Sequence, residues 1–248
     1  MLNRTLVINK KITLVSDSPV TIKATDDFKE SEISHTVPNA TVVNPGMIFI
    51  DGSSHATTEL ILGATTSSPL LTFDANGKCR VIHNETRGGT VGSHISLTIN
   101  SAKITNGYHY DRGAGVFNTY MGQFRMYGGE ISGNNLEYPE TRYKYATDVF
   151  NGSGAQAWFY GGEIGSLFQH STVGGDKKGK TTLEGGTIGS VYIDCPVEGA
   201  LSTFLFESGT LGAMLLETSN IGNDPRPLNT LENPINGEYH SGDVVMLL

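Results

Sequence analysis

The stretch from Phe124 to Ile131 reads FRMYGGEI, and four further segments of the chain repeat its pattern. They are LTINSAKI at 97–104, AWFYGGEI at 157–164, TTLEGGTI at 181–188 and FLFESGTL at 204–211. The copies begin 23 to 33 residues apart, the first and third positions are mostly apolar, and small residues at the fifth and sixth positions predict a turn. An aliphatic residue closes each unit. A period of this length is typical of a chain built from stacked units.

Each copy has the period of a short strand and not of a helix. Phe124 and Met126 share one side of the strand, while Arg125 and Tyr127 share the other. One unit cannot bury its apolar side alone, whereas copies stacked about 4.8 Å apart pair their backbones and align their apolar residues. The sequence therefore predicts an all-β fold, a single-stranded right-handed parallel β-helix with coils of about 22–33 residues. An antiparallel sandwich would show strands without fixed spacing, and a propeller would need blades of about 40 residues or more.

A second apolar position precedes the later copies. Val116 and Val149 each lie ten residues before the third position of the next copy, and both open the tripeptide Val-Phe-Asn. Val173 and Val197 stand ten and nine residues before the third position of later copies, which predicts that the four valines form one column. The residues expected to point inward and stack from coil to coil are Phe124, Met126, Ile131, Phe159, Ile164, Leu183, Ile188, Phe206 and Leu211.

The chain of 248 residues is interpreted as one β-helix domain, regular from about Leu97 to Leu211. Residues 1–96 are predicted to form irregular coils with a polar loop excursion near 25–45. Residues 97–222 are predicted to form the regular coils, and 223–248 a C-terminal cap in which 244–248 fold back. Atypical ends are expected in a repeat protein because the open end of a stack needs a cover.

Composition excludes several classes of partner. The net charge is −8 with 17% charged residues, so no excess of lysine and arginine is available for a nucleic acid or an anionic membrane surface. No apolar run approaches the length of a membrane span, and the N-terminus lacks a signal-peptide pattern. Cys79 and Cys195 are expected to be buried apolar side chains, and the seven histidines show no zinc spacing, so we expect no cofactor.

Two connections are longer than the others. Ile104 to Val116 spans twelve residues and Ile131 to Val149 eighteen, against nine in the later copies. Insertions at one corner of adjacent coils often form a binding face, and these hold five of the ten tyrosines, whose flat rings suit sugars or protein contacts. Alternatively, the loops fold over their own aromatic residues as a lid. The predicted ligand-binding residues are Tyr108, Tyr110, Asp111, Arg112, Tyr138, Arg142, Tyr143 and Lys144, with the cations available to an acidic sugar.

Catalysis at this corner would need particular groups. Glycoside hydrolysis uses two carboxylates about 5.5 Å apart for retention and up to roughly 9.5 Å apart for inversion. The candidates are Asp111, Glu140 and Asp148. A lyase would need a base beside a sugar carboxylate, for which Arg142, Lys144 or a tyrosine is available.

The run FRMYGGEISGN at 124–134, preceded by GAGVFN at 113–118, resembles a unit of bacterial pectin-lyase-like β-helix surface proteins. The segment LVINKKITLVSD at 6–17 is similar to the opening coils of the same group. The resemblance implies a right-handed β-helix on a bacterial cell surface, exported by a signal that has been removed. The chain lacks the Asn-Thr-Asp and Gly-His-Gly signatures of pectin hydrolases and the Arg-x-Pro-x-x-Arg of pectate lyases. A fold by itself does not imply an activity.

Two functions are consistent with these patterns. The first is a non-catalytic, adhesin-like module of the cell surface that binds an oligosaccharide or a cell-surface protein through the tyrosine-rich corner. The second is a polysaccharide lyase or glycoside hydrolase acting at the same corner. The missing enzyme signatures favour the first.

Overall fold

The structure, a computed structural model, describes residues 1–34, 41–42, 44–52, 57–64, 70–85, 94–137, 147–172, 179–194, 201–217, 237–240 and 246–247. All regular elements in these ranges are β-strands, so the prediction of an all-β fold is confirmed. No helix within the described ranges has the length and apolar character needed to cross a membrane.

Most strands belong to three ladders, which the chain visits in turn on each coil. Ladder 1 contains β1 (Leu2–Arg4), β4 (Val20–Lys29), β9 (Leu71–Asp74), β12 (Ala102–Thr105), β16 (Glu130–Ile131) and the first parts of β20 (Glu163–His170), β22 (Thr187–Asp194) and β24 (Thr210–Glu217). Ladder 2 contains β2 (Leu6–Ile8), β7 (Ile48–Asp51), β10 (Ile82–Glu85), β14 (Val116–Thr119), β18 (Val149–Asn151) and the second parts of β20, β22 and β24. Ladder 3 contains β3 (Ile12–Leu14), β8 (Thr58–Leu62), β11 (Ile95–Ile99), β15 (Gln123–Met126), β19 (Gln156–Phe159), β21 (Gly179–Leu183) and β23 (Leu201–Phe206).

The remaining strands lie beside these ladders. Short parallel strands β13 (Tyr108–His109) and β17 (Asn135–Leu136) pair with each other, and β5 (Ile33–Ser34) pairs antiparallel with β6 (Thr41–Val42). At the C-terminal end, β25 (Gly237–His240) adds antiparallel to β23, and β26 (Met246–Leu247) adds antiparallel to β24. The result is an all-β fold of long parallel sheets, with the strand order expected of a coiled chain.

The repeat seen in the sequence is the repeat of the coils. The first positions of the five copies are direct neighbours across ladder 3, in the order Leu97, Phe124, Ala157, Thr181 and Phe204. The closing residues are likewise neighbours in ladder 1, so each copy occupies the same place in successive coils. Parallel pairing in this register is what aligns the apolar positions.

The predicted column of four valines is wrong in its second half. Val149 pairs with Leu167, whose own partner in the next coil is Val191, so these residues occupy the places predicted for Val173 and Val197. The reason is local: only Gly165 and Ser166 separate Ile164 from Leu167, so the chain passes from ladder 1 to ladder 2 within one continuous strand. Val173 and Val197 themselves lie outside the described residues.

The predicted core is largely confirmed. Seven of the nine residues expected to point inward are buried, while Phe206 and Leu211 are half-buried and pack against the same cluster. Cys79 is also buried with a free thiol, as expected, and Cys195 lies outside the described residues. Burial raises the pKa of the Cys79 thiol.

The Gly-Gly signature has a backbone cause at its second position. The φ angles of Gly129, Gly162 and Gly186 are +90°, +87° and +80°, a region that side chains disfavour. A Cβ at Gly129 would also meet the carbonyl oxygen of Ala102 in the preceding coil. The turn therefore needs glycine both for its conformation and for the closeness of the neighbouring coil.

We expect the substitution Met126→Asp to destabilise the fold by about 4 kcal/mol or more, because it places an unpaired charge among fully buried apolar neighbours. The matched control is Met121→Asp, since Met121 is 57% exposed and has a positive φ that aspartate tolerates better. Urea unfolding of both variants measures the difference. Equal losses of stability would show that position 126 does not face the core.

Candidate functional site

The two long connections leave the stack at the same corner. Ile104 pairs with Ile131 in ladder 1, and the segments that follow them pair through β13 and β17. Tyr108 is the direct neighbour of Asn135, and His109 that of Leu136. The bases of the two loops therefore lie together, as their equivalent positions in the repeat predicted.

A buried arginine, Arg80, holds the backbone of the first long connection, which runs from Ile104 to Val116. Arg80 is 3% exposed, and its guanidinium donates to the carbonyl oxygens of Gly113 at 2.9 Å and Arg112 at 2.8 Å. The guanidinium also lies 3.2 Å from Nδ1 of His83, whose Nε2 lies 2.6 Å from a carboxylate oxygen of Glu85. Burial lowers the pKa of Arg80 to about 10, opposed by Glu30 and Glu85, so the side chain stays charged at neutral pH.

His109 holds the middle of the loop as a hydrogen-bond acceptor. It is buried, it lies 3.2 Å from the Arg80 guanidinium, and its Nδ1 accepts the backbone N–H of Asp111 at 3.1 Å. Burial lowers the pKa of His109 to about 2, and the positive charge of Arg80 is the second largest cause of this lowering. His109 is therefore neutral at physiological pH. Its ring packs against that of Tyr110 at a centroid distance of 4.4 Å.

The loop rests on a stack of aromatic rings outside ladder 2. Phe117 stacks on Phe150 at 5.0 Å between ring centroids, and the stack continues through Phe168 at 5.7 Å. The Arg80 guanidinium lies 4.2 Å from the centroid of Phe117, and that of Arg112 lies 4.8 Å from Phe150. Contacts of a cation with an aromatic face at these distances are attractive, so Arg112 of the loop and Arg80 beneath it both bind the aromatic stack of the coils.

Of the predicted ligand-binding residues, four are described and lie together on this loop. Tyr108 is 38% and Tyr110 50% exposed. Asp111 and Arg112 form an ion pair with a nitrogen–oxygen distance of 3.0 Å, and both are partly exposed. The other predicted residues, in the ligand and catalytic sets, lie outside the described residues: Tyr138, Glu140, Arg142, Tyr143 and Lys144.

Asp148, the remaining catalytic candidate, is enclosed at the base of the second loop. It is 5% exposed, one carboxylate oxygen accepts the side-chain N–H of Asn134 at 2.8 Å, and the other accepts the hydroxyl of Ser166 at 3.2 Å. Burial raises the pKa of Asp148, while these hydrogen bonds oppose the rise. The carboxylate thus joins the second loop to β20 and does not face solvent.

Sequence reasoning missed two features. Arg80 was not identified, although a charged residue between Cys79 and the apolar start of β10 is a signal of a buried cation. The second feature lies outside ladder 3, where Tyr127 stacks on Tyr160 at 4.7 Å and Arg125 lies 4.7 Å from the Trp158 ring. These residues occupy the same outward positions in two copies of the repeat, so the alternation could have indicated them.

No family model matches this chain, and neither the curated proteins nor the solved structures contain a significant match to it.

We expect His109 to make the stability of the fold depend on pH. Its pKa is about 2 in the folded chain against an ordinary value of 6.5, so between these values only the unfolded chain binds a proton there. Stability should therefore fall as the pH drops below 6.5, by up to about 1.4 kcal/mol per pH unit from this group.

The variant His109→Gln removes this titration while keeping a hydrogen-bonding side chain. Urea unfolding of both proteins at a series of pH values gives the difference between their free energies of unfolding. The contributions of the other titrating groups are common to both proteins and largely cancel in this difference. The difference should change below pH 6.5 and be constant above about pH 7.5, where His109 is neutral in both states. A constant difference over the whole range would contradict the burial of a neutral His109.

Proposed function

We propose that the chain is a non-catalytic module of a bacterial cell-surface protein, a right-handed parallel β-helix that binds an oligosaccharide through the loop at residues 106–115. The handedness and the location follow from the resemblance of the repeats to bacterial pectin-lyase-like surface proteins. The binding mode follows from the loop itself.

One observation carries the proposal: two exposed tyrosines stand on a loop whose backbone is already fixed. Arg80 hydrogen-bonds the carbonyl oxygens of Arg112 and Gly113, and His109 accepts a backbone N–H from within the loop. Ordering a loop upon binding costs free energy, and a loop held in place beforehand avoids that cost. Tyrosine offers a flat apolar ring with a polar tip, which suits the face of a sugar ring and its hydroxyls.

The charges of the described residues support binding more than catalysis. Asp148 is enclosed and already accepts two hydrogen bonds, and Asp111 is paired with Arg112. A general acid or a nucleophile has to reach the substrate, which the Asp148 carboxylate does not do in this arrangement. Arg112 is paired with Asp111, so its charge is not available to an acidic sugar while that ion pair is intact.

We expect the double substitution Tyr108→Ala and Tyr110→Ala to weaken glycan binding about 10-fold or more, since removing two stacking rings costs at least the roughly 1.4 kcal/mol of a tenfold change. The measurement is binding of the purified chain to an immobilised panel of acidic and neutral polysaccharides. Tyr127→Ala is the matched control, because Tyr127 is 51% exposed on another face. Equal binding by all three proteins would remove the corner as the site.

A further variant tests whether the fixed loop backbone contributes to binding. Arg80→Met keeps both tyrosines but removes the hydrogen bonds to the loop, and it should also weaken binding.

The same polysaccharide panel tests the enzymatic alternative. If the wild-type chain released reducing or unsaturated sugar ends from a polysaccharide, and the purified double variant Tyr108→Ala/Tyr110→Ala did not, the result would support a hydrolase or lyase at this corner.

A further inference from the structure

The two exposed tyrosines share their outward side with two polar side chains from the next coil. Tyr108 is the direct neighbour of Asn135 across β13 and β17. One residue beyond these strands, the backbone N–H of Glu137 donates to the carbonyl oxygen of His109 at 2.8 Å, so the pairing continues. Exposure alternates along both segments, because His109 and Leu136 are buried while the residues on either side of them are exposed. The four exposed side chains form one surface, the loop platform, which consists of Tyr108, Tyr110, Asn135 and Glu137.

The loop platform stands on a fixed backbone. Neighbouring strands lie about 4.8 Å apart, and alternate residues of one strand lie about 6–7 Å apart. Beneath the platform, Oδ1 of Asn134 accepts the N–H of Gly107 at 2.8 Å, and the amide of Asn134 donates to Asp148 at 2.8 Å. Leu136 is only 8% exposed, which anchors the second segment. A ligand therefore meets the four side chains without first having to order the backbone that carries them.

The loop platform carries one carboxylate whose charge no described residue balances. Asp111 and Arg112, which follow Tyr110 on the loop, pair with each other at 3.0 Å. Within the described ranges of the chain, Glu137 forms no ion pair. The chain as a whole has a net charge of −8. An anionic sugar would therefore meet a like charge at the platform, whereas a cationic sugar would be attracted to it.

The neighbours of Glu137 suit an ammonium group on a sugar ring. Tyr110 occupies the position next to Glu137 in the register of β13 with β17, and its ring packs against that of His109 at 4.4 Å between centroids. The Tyr110 side chain is 50% exposed, so part of its ring remains open to a ligand. An ammonium group is attracted both by a carboxylate and by the face of a tyrosine ring. Asn135 adds an amide that donates to and accepts from sugar hydroxyls.

We propose that the saccharide bound at this loop is built from amino sugars with free amines, and that Glu137 selects it. The apolar face of the sugar lies on a tyrosine ring, the ammonium group pairs with the Glu137 carboxylate, and a hydroxyl bonds the amide of Asn135. Uronic acids, which bring a second carboxylate close to Glu137, bind less tightly. This inference rests on the proposed function, because it specifies the ligand of the same loop.

Isothermal titration calorimetry of the full chain tests the proposal with short oligomers of glucosamine, N-acetylglucosamine and galacturonic acid. At low salt, and at a pH at which the sugar amine is protonated, the wild type should bind glucosamine oligomers about 5-fold more tightly than their N-acetylated counterparts. This preference corresponds to one exposed ion pair and one contact of a cation with a ring. Glu137→Gln should remove the preference. Glu207→Gln is the matched control, because Glu207 is exposed after a strand of ladder 3, and it should keep the preference.

Salt gives a second readout that needs no variant. At about 1 M salt the Debye length falls to about 3 Å, so the preference of the wild type should largely disappear while binding of the N-acetylated oligomers persists.

The outcomes separate this proposal from the proposed function. A preference that survives in Glu137→Gln, or wild-type binding of uncharged or acidic oligomers that equals or exceeds that of glucosamine oligomers, overturns the selection by Glu137 and leaves the loop as a glycan site of another specificity. Binding of none of the three oligomers also overturns the proposal. The absence of binding to every member of the polysaccharide panel overturns the proposed function as well.

Discussion

Parallel pairing of each coil with the next, in one register, determines which side chains form the core and where the chain can form loops. The first positions of the five repeats pair across ladder 3, and the closing residues pair across ladder 1. Because register fixes which side chains face inward, a one-residue slip would turn the whole apolar set of a strand outward. Additional residues can therefore enter only between ladders, which is why both long loops leave from the same corner.

Buried amides lock the register at another corner. Asn84 donates to the side-chain oxygen of Asn118, Asn118 to that of Asn151, and Asn151 to that of Gln169. The first three side chains also donate to backbone carbonyl oxygens of ladder 3. Buried polar groups are costly unless paired, so a shifted coil would lose these bonds as well as its apolar contacts. This pairing explains why Val-Phe-Asn recurs: valine fills the core, phenylalanine joins the outer stack and asparagine joins the amide column.

The sequence predicted what repeats and missed what depends on contacts distant in the chain. The period of the five copies was sufficient to place Phe124, Met126 and Ile131 in the core, because alternation and spacing are local signals. Val173 and Leu167 are both aliphatic, so residue type alone did not indicate which of them continues the column of Val149. Leu167 occupies that position because only Gly165 and Ser166 separate it from Ile164 in ladder 1. Arg80 holds the loop through contacts with Gly113 and His109, which lie 33 and 29 positions away in the chain, so spacing within one repeat does not indicate these contacts.

If successive coils stack in register, residues far apart in the chain lie at a fixed distance across several coils. Glu59 and Lys180 occupy one column of ladder 3, connected through Ser96, Gln123 and Gln156. Four steps of about 4.8 Å separate their Cα atoms by about 19 Å, although they are 121 residues apart in the chain. Electron–electron double resonance between spin labels at cysteines replacing these two residues, with Cys79 and Cys195 changed to alanine, measures this separation. In-register stacking should give one narrow distribution of distances centred on the order of 20 Å, whereas a broad distribution, or one centred beyond about 30 Å, would show that the coils do not stack in this register.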